Sequence, residues 1–201
     1  ENHACIIEGC RLSGAKVHVF RHADMGHLEE LLKSVPADAG KLIITDGVFS
    51  MTGHIAPYDQ IYKLAQKYGA RTYVDDAHGL GVIGKGGRGT PSHFGLPVDI
   101  LMGTFSKSLA SQGGFVVGTK EIVEWLRHKS RTFMFSAALA PSSAAAALKA
   151  LEILMQEPER VDKAMANAAY LKKGFDDLGL DTMGTETTIV PVFIGDDTVA
   201  L

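Results

Sequence analysis

The sequence has few cysteines, no long apolar run and no block of charge of one sign. Its two cysteines, Cys5 and Cys10, argue against a disulfide framework and favour a reducing, cytoplasmic setting. No apolar run reaches the roughly 20 residues that a transmembrane helix needs. The 20 basic and 23 acidic residues are interspersed and give a formal net charge of -3, so neither a nucleic-acid nor a membrane partner is predicted.

The chain nevertheless has enough apolar material for a substantial core. It contains 201 residues, of which 46% are hydrophobic, and this predicts one large domain or one domain and part of a second. It begins at Glu1 without an initiator methionine and stops at Leu201 shortly after a strand-like run. We therefore expect it to be an internal fragment of a longer protein.

Strand-like runs alternate with helical ones through the first 120 residues. The strand-like runs are 16–20, 41–45, 71–74, 99–102 and 114–118. Asp24 is a plausible N-cap for one intervening helix, and Pro57 and Gly69 are typical of the two ends of another. This alternation predicts an α/β fold, with a mostly parallel sheet flanked by helices.

The second half is mainly helical. Helices are predicted over 121–131, 142–155 and 158–178, with an apolar connector at 132–136. The run 188–194 looks like a strand but contains Pro191, which indicates an edge strand or a strand of a neighbouring domain. We expect a domain boundary near residue 180, with 1–180 in one domain and 181–201 beginning the next.

Polar residues follow three of the strand-like runs, in the loops 46–50, 75–78 and 104–107. The carboxyl ends of parallel strands share one edge of a sheet, where helix N-termini favour anions. Each loop alone has an ordinary explanation: an acid can cap a helix, a histidine can be a buried polar group, and most lysines are solvated. Together they bring a carboxylate, an imidazole, hydroxyl groups and a lysine to the same edge.

This set suits pyridoxal phosphate better than other cofactors. Asp75 would keep the pyridine nitrogen protonated, and His78 could donate to the phenolic oxygen. Thr104 and Ser106 offer donors to a phosphate, and Lys107 offers an amine for a Schiff base. Asp75 and Asp76 could instead hold a divalent metal, but consecutive strand residues face opposite sides, which disfavours a shared ion.

Four stretches together resemble the α-oxoamine synthases, a group of fold-type-I enzymes that depend on pyridoxal phosphate. The stretches are Thr45-Asp46-Gly47-Val48-Phe49-Ser50-Met51-Thr52-Gly53, Val74-Asp75-Asp76-Ala77-His78-Gly79-Leu80-Gly81-Val82-Ile83-Gly84, Gly87-Arg88-Gly89 and Gly103-Thr104-Phe105-Ser106-Lys107. The resemblance extends over essentially the whole chain. It implies an αβα sandwich, with 1–180 in the cofactor-binding large domain and 181–201 at the start of the C-terminal small domain.

The resemblance also implies an activity and partners. Members condense a small amino acid with an acyl-CoA to give an α-amino ketone, and they work as homodimers with the active site at the interface. The sequence favours a glycine C-acetyltransferase or an enzyme like serine palmitoyltransferase. The alternatives are an 8-amino-7-oxononanoate synthase of biotin synthesis, or a non-catalytic fragment or partner subunit of the same fold.

Individual roles follow from the same resemblance. It makes Lys107 the lysine that binds the cofactor and removes a proton from the substrate, Asp75 the partner of the pyridine nitrogen, and His78 the donor to the phenolic oxygen. The remaining implied cofactor contacts are Ser50, Thr104, Ser106 and Ser136, the last reaching the phosphate from the neighbouring subunit.

Some features depart from the family pattern. Asp46 stands where many members have glutamate, and Ala140-Pro141 replaces a common Pro-Pro pair. The phosphate-loop amides and ring-stacking histidine of the N-terminal part, and the carboxylate-binding arginine of the C-terminal domain, are expected outside this chain. The fragment alone is therefore expected to be an incomplete catalyst.

Two other motifs could indicate a dinucleotide site and a zinc site. The segment 84–89 fits G-x-G-x-x-G and would suggest a nicotinamide-dependent dehydrogenase, but it does not directly follow a strand, and Thr90-Pro91 is expected to prevent a helix after it. His18, His22 and His27 with the two cysteines fit no standard zinc spacing. No metal site is predicted.

Overall fold

A four-stranded sheet forms the centre of the computed structural model, which describes residues 1–200. Its strands are β1 (Lys41–Asp46), β2 (Ala70–Asp75), β3 (Ile100–Thr104) and β4 (Gly114–Gly118), in the order β1-β2-β3-β4. The first three strands are parallel, and β4 runs antiparallel to β3. The predicted α/β fold with a mostly parallel sheet is confirmed.

Helices precede, connect and follow the strands. Within residues 1–200 they are α1 (Ala4–Ser13), α2 (Met25–Ser34), α3 (Tyr58–Tyr68), α4 (Thr90–Phe94), α5 (Lys120–Lys129), α6 (Arg131–Phe135), α7 (Pro141–Gln156), α8 (Glu159–Asp177) and α9 (Asp197–Ala200). A single 3-10 turn covers Lys85–Gly87. Among these described helices, none combines the length and the apolar character needed to cross a bilayer.

The helices α2 and α3 form as their terminal residues predict. The Asp24 side chain accepts a hydrogen bond from the backbone N–H of His27 at 2.8 Å and so caps α2. The helix α3 begins after Pro57 and ends at Gly69, whose φ of 61° is in the left-handed region that glycine adopts freely. The helix α3 packs against β2 and α2 packs against α3, and the core contains Leu28, Leu32, Ile43, Ile61, Ala65 and Val74.

A buried polar contact fixes β2 relative to the start of β3. The Tyr58 hydroxyl donates to the carbonyl oxygen of Pro97 at 2.7 Å and lies 3.1 Å from Thr72 Oγ1. The Asp99 carboxylate accepts the backbone N–H of Thr72 at 2.8 Å. These bonds satisfy polar groups that would otherwise be costly to bury, and they help to align the strands that carry the site.

Three local predictions are wrong. The runs 16–20 and 188–194 form no strand within the described residues, and 132–136 is mostly the helix α6 instead of a connector. Val17 and Val19 are 50% and 80% exposed, so their β-branched side chains do not cover a core. Strand propensity alone does not make a strand, because a strand also needs a neighbour that satisfies its backbone.

The segment after residue 180 contacts the loop that follows β1. The Thr187 hydroxyl donates to the carbonyl oxygen of Gly53 at 3.0 Å, and His54 Nε2 lies 2.6 Å from the carbonyl oxygen of Met183. The domain boundary near residue 180 stays a prediction. Leu201, the last residue of the predicted second domain, lies outside the described residues.

Candidate active site

The three polar loops meet at one edge of the sheet, as their positions after parallel strands predict. In the ladder, Asp46 at the end of β1 is the partner of Asp75 at the end of β2. Asp75 is in turn the partner of Met102, two residues before Thr104 at the end of β3. The carboxyl ends of the three strands therefore bring Asp46, Asp75 and Thr104 to the same side of the molecule.

Asp75 presents a buried carboxylate at this edge. The residue is only 4% exposed, and its Oδ1 accepts the backbone N–H of Ala77 at 3.0 Å. The Sγ atom of Cys5 lies 4.0 Å from the other oxygen, Oδ2. A weak thiol donor at that distance leaves Oδ2 free to accept a stronger bond from a ligand N–H.

His78 is half-buried beside this carboxylate and close to Lys107. Burial lowers the pKa of His78, the Lys107 ammonium lowers it further, and the Asp75 carboxylate opposes both effects. The imidazole is therefore neutral at pH 7, with one ring nitrogen able to donate and the other able to accept. Lys107 is exposed, so its amine is accessible to a ligand bound over His78.

Two hydroxyl groups lie at the end of β3 and directly before Lys107, on Thr104 and Ser106. Thr104 Oγ1 and Ser106 Oγ are 2.8 Å apart, and the backbone N–H of Ser106 donates to Thr104 Oγ1 at 3.3 Å. Thr104 Oγ1 donates to the carbonyl oxygen of Gly113 at 3.1 Å, which fixes its orientation. A hydroxyl has one proton to donate, so Thr104 and Ser106 can donate to an anion such as a phosphate by exchanging these internal bonds for bonds to the ligand.

Ser50 and Ser136 are the other two predicted cofactor contacts, and they follow different elements of the fold. Ser50 is half-buried in the turn after β1, which is closed by a 2.9 Å hydrogen bond from the backbone N–H of Phe49 to the carbonyl oxygen of His54. Ser136 is exposed directly after α6. Among the described residues, no hydrogen bond joins Ser136 to the cluster around Asp75.

The Asp76 carboxylate is hydrogen-bonded to Thr90 and has a structural role. It is 1% exposed, and its carboxylate accepts the Thr90 hydroxyl at 2.6 Å and the Thr90 backbone N–H at 3.0 Å. Burial raises the pKa of Asp76 to about 6, although the bonds from Thr90 oppose the rise. The two consecutive carboxylates thus have different partners, as the alternation along a strand predicts.

The glycine segment 84–89 uses its amides internally. The backbone N–H of Gly87 donates to the carbonyl oxygen of Gly84, and the N–H of Gly89 donates to that of Ile83. The helix α4 begins directly afterwards at Thr90, so the expectation that no helix follows is wrong. The segment still follows no strand directly, and amides bonded within the loop cannot also cradle a dinucleotide pyrophosphate.

Asn2, His3 and Cys5 also lie at this edge, which no pattern in the sequence predicts. The backbone N–H of His3 donates to Asp46 Oδ2 at 2.8 Å, and His3 then caps α1. Burial raises the pKa of Asp46 to about 6, an effect that the neighbouring Asp75 increases and the bond from His3 opposes. His3 and Asp46 are 43 positions apart in the chain, so no local sequence pattern indicates that they are in contact.

Known proteins resemble the whole chain. A family model described as aminotransferase class I and II matches residues 1–201. An 8-amino-7-oxononanoate synthase of Symbiobacterium thermophilum is 51% identical over 203 residues, which cover 100% of this chain and 52% of that protein. A serine palmitoyltransferase of Sphingobacterium spiritivorum is 49% identical over 195 residues, covering 96% of this chain and 49% of that protein.

Solved structures show the same similarity in three dimensions. A serine palmitoyltransferase of S. paucimobilis with a bound PLP-myriocin aldimine has a TM-score of 0.93 and 36% identity, over 99% of this chain and 53% of that one. An 8-amino-7-oxononanoate synthase of Francisella tularensis has a TM-score of 0.82 and 27% identity, over 99% of this chain and 58% of that one. The chain spans about half the length of the curated relatives it matches.

Proposed function

The chain belongs to the aminotransferase class I and II family, and we propose that it is part of a pyridoxal-phosphate-dependent acyltransferase. The complete enzyme would condense a small amino acid with an acyl-CoA to give an α-amino ketone. The names of the relatives, 8-amino-7-oxononanoate synthase and serine palmitoyltransferase, support this activity. The observation that carries it is the placement of Asp75, His78 and Lys107 around one edge of the sheet.

The residues at this edge fit pyridoxal phosphate. Among residues 1–200, the hydrogen-bonding group recorded at Asp75 Oδ2 is the Cys5 thiol at 4.0 Å, so this buried oxygen suits the protonated nitrogen of a pyridine ring. The hydroxyl groups of Thr104 and Ser106 would hold the phosphate, with Ser50 in the same pocket. When bound, this cofactor supplies an electron sink that stabilises a carbanion at the substrate α-carbon.

The side chains of this chain then have distinct roles. Asp75 would hold the ring nitrogen of the cofactor and keep it protonated by accepting its N–H. His78, which is neutral at pH 7, donates one ring N–H to an oxygen of the bound ligand. Lys107 Nζ would be the covalent anchor of the cofactor and would also be the base that takes a proton from the substrate α-carbon.

The proposal also covers the oligomeric state, the domain division and the cellular location. We propose a homodimer with active sites at the interface, in which the exposed Ser136 reaches the phosphate held by the other subunit. Residues 1–180 would belong to the cofactor-binding domain and 181–201 to the start of a C-terminal domain. A cytoplasmic location agrees with the low cysteine content.

Three substrate pairs are candidates, and relatives of nearly equal identity carry the names of two of the corresponding enzymes. A serine-palmitoyltransferase-like enzyme or a glycine C-acetyltransferase is the main proposal, and 8-amino-7-oxononanoate synthase is the alternative. A non-catalytic fragment or partner subunit is a further alternative, against which the presence of Asp75, His78 and Lys107 argues. The internally bonded glycine loop removes the support for a dehydrogenase.

Covalent trapping tests the cofactor assignment. In the full-length protein, borohydride reduction should attach pyridoxal phosphate to the peptide that contains Lys107, as measured by mass spectrometry. Lys107→Ala should abolish this product, whereas Lys120→Ala, which changes another exposed lysine, should not. Undiminished trapping in Lys107→Ala would refute the role of Lys107.

Thiol release from acyl-CoA identifies the substrates. The full-length enzyme would be given glycine, serine and alanine with acetyl, pimeloyl and long-chain acyl thioesters. Glycine with acetyl-CoA would indicate the C-acetyltransferase, serine with a long acyl chain the palmitoyltransferase, and alanine with the pimeloyl thioester the oxononanoate synthase. No thiol release with any pair from a cofactor-loaded enzyme would favour the non-catalytic subunit.

A further inference from the structure

The edge strand β1 is covered at its carboxyl end by the side chain of Asn2. Its Nδ2 donates to the carbonyl oxygen of Ile44 at 3.0 Å, and the backbone N–H of Asp46 donates to its Oδ1 at 3.2 Å. These are backbone groups of two residues on either side of Thr45, as a residue of a neighbouring parallel strand would use them. Within the sheet that residues 1–200 form, the Asn2 carboxamide therefore pairs with the edge of β1.

The Asp46 carboxylate makes a second attachment to the same segment. Asp46 is 6% exposed, and its Oδ2 accepts the backbone N–H of His3 at 2.8 Å. Its ladder partner is Asp75, so the two carboxylates stand on the same face of the sheet. A buried carboxylate beside a like charge needs a donor, and the N–H of His3 provides one.

These attachments determine which groups lie beside Asp75. His3 caps α1, and its Nδ1 accepts the backbone N–H of Cys5 at 3.3 Å and lies 3.0 Å from Cys5 Sγ. The same Sγ lies 4.0 Å from Asp75 Oδ2. His3 is also close enough for its charge to lower the pKa of His78.

We propose that Asp46 is a positioning residue that, together with Asn2, holds the segment 2–5 over the carboxyl ends of β1 and β2. In doing so it sets the position of the His3 imidazole and the Cys5 thiol relative to Asp75 Oδ2. In this role Asp46 acts through the backbone of His3 instead of through a contact with cofactor or substrate. This inference rests on the proposed function, because Asp75 is the acid assigned there to the ring nitrogen.

Two substitutions of Asp46 separate its hydrogen bond from its charge. Asp46→Asn removes the charge but keeps an oxygen that can accept the N–H of His3, whereas Asp46→Ala removes both. In the full-length enzyme, we expect Asp46→Ala to raise the dissociation constant for pyridoxal phosphate about tenfold, as the loss of a buried charged hydrogen bond implies. Asp46→Asn should stay within about twofold of the wild type.

Asn2→Ala provides an independent variant that leaves the carboxylate in place. It should weaken cofactor binding in the same direction as Asp46→Ala. Because the two residues hold one segment, the double variant should lose less affinity than the sum of the two single losses. Asn2→Ala also keeps the test valid if Asp46→Ala does not fold.

Two further measurements report the position of the segment 2–5 instead of the overall stability of the protein. The pH midpoint of the visible absorption band of the bound cofactor should shift in Asn2→Ala, which keeps both carboxylates, and should differ between Asp46→Ala and Asp46→Asn, which both lack the Asp46 charge. In the cofactor-free protein, alkylation of Cys5 by iodoacetamide should increase relative to Cys10 in Asp46→Ala, compared with Asp46→Asn. Cys10 lies on the same helix and serves as an internal reference, which peptide mass spectrometry can resolve.

The outcomes distinguish this inference from the proposed function. If the wild type binds no pyridoxal phosphate, the proposed function fails, while the alkylation ratio still tests the positioning of the segment. If the wild type binds the cofactor but Asp46→Ala equals Asp46→Asn in affinity, absorption midpoint and alkylation ratio, the positioning role is overturned.

Discussion

The carboxylates of Asp75 and Asp76 have separate partners although the two residues are consecutive in the chain. Asp75 accepts the backbone N–H of Ala77 at 3.0 Å and faces the candidate site. Asp76 accepts the Thr90 hydroxyl at 2.6 Å on the other side. One carboxylate is therefore available for a ligand, and the other connects the end of β2 to the start of α4.

Removing the Thr90 hydroxyl should reduce stability without changing the site. Thr90 is fully buried, so Thr90→Val leaves an oxygen of Asp76 short of a donor and should lower the free energy of unfolding by about 1–3 kcal/mol. Urea unfolding of the full-length protein would measure this loss. Thr90→Ser keeps the hydroxyl and is the control; an equal loss in both variants, or a changed spectrum of the bound cofactor, would contradict the structural role.

The raised pKa of Asp76 predicts how stability depends on pH. Its pKa is about 6 in the folded protein against 3.8 as the ordinary value, so the native state binds more protons than the unfolded state between these pH values. The contribution of Asp76 to stability is therefore present at about pH 4 and falls as the pH rises through about 6. Asp76→Asn should lack this dependence.

Urea unfolding at several pH values would check this sign. The unfolding free energy of the wild type relative to Asp76→Asn should fall by up to about 3 kcal/mol between pH 4 and pH 7. Asp46, whose pKa is also about 6, adds a fall in the same window that both proteins share. A difference that rises with pH would show that burial is not the dominant effect on Asp76.

The order of strands and helices could be predicted because local signals and packing agree there. Asp24, Pro57 and Gly69 mark helix ends by their own backbone preferences, and the structure uses them in these roles. The run 16–20 has strand-like residues but no ladder partner. Whether a partner exists is decided by distant parts of the chain, which propensity does not register.

The candidate site was predictable in part for the same reason. Asp75, His78 and Thr104 follow parallel strands, so the sheet itself brings them to one edge. His3 and Cys5 lie beside them where Asn2 and His3 contact β1 over separations of 42 and 43 residues. Such a contact depends on side-chain geometry in the folded state and leaves no periodic pattern in the sequence.

The hydroxyl of Tyr58 should contribute to the alignment of β2 and β3. Tyr58→Phe would leave the carbonyl oxygen of Pro97 and the hydroxyl of Thr72 without this partner and should cost about 1–2 kcal/mol of unfolding free energy. Tyr62→Phe, at a half-buried tyrosine on the same helix, is the matched control and should change stability by less than about 0.5 kcal/mol. Equal effects on urea unfolding would show that the Tyr58 hydrogen bonds are not responsible.

Position 89 should accept only glycine, because the Asp76 carboxylate occupies the space of a side chain there. A Cβ atom there would overlap Asp76 Oδ2, and the φ of 85° is one that other residues rarely adopt. Both effects oppose Gly89→Ala, which should lower the free energy of unfolding by more than about 2 kcal/mol. Gly174→Ala is the control, because a Cβ there meets no atom within 4 Å and alanine favours the helix α8 by about 0.5–1 kcal/mol. Thermal unfolding of the two full-length variants should therefore shift in opposite directions, and a Gly89→Ala variant as stable as the wild type would show that Asp76 can move away without loss.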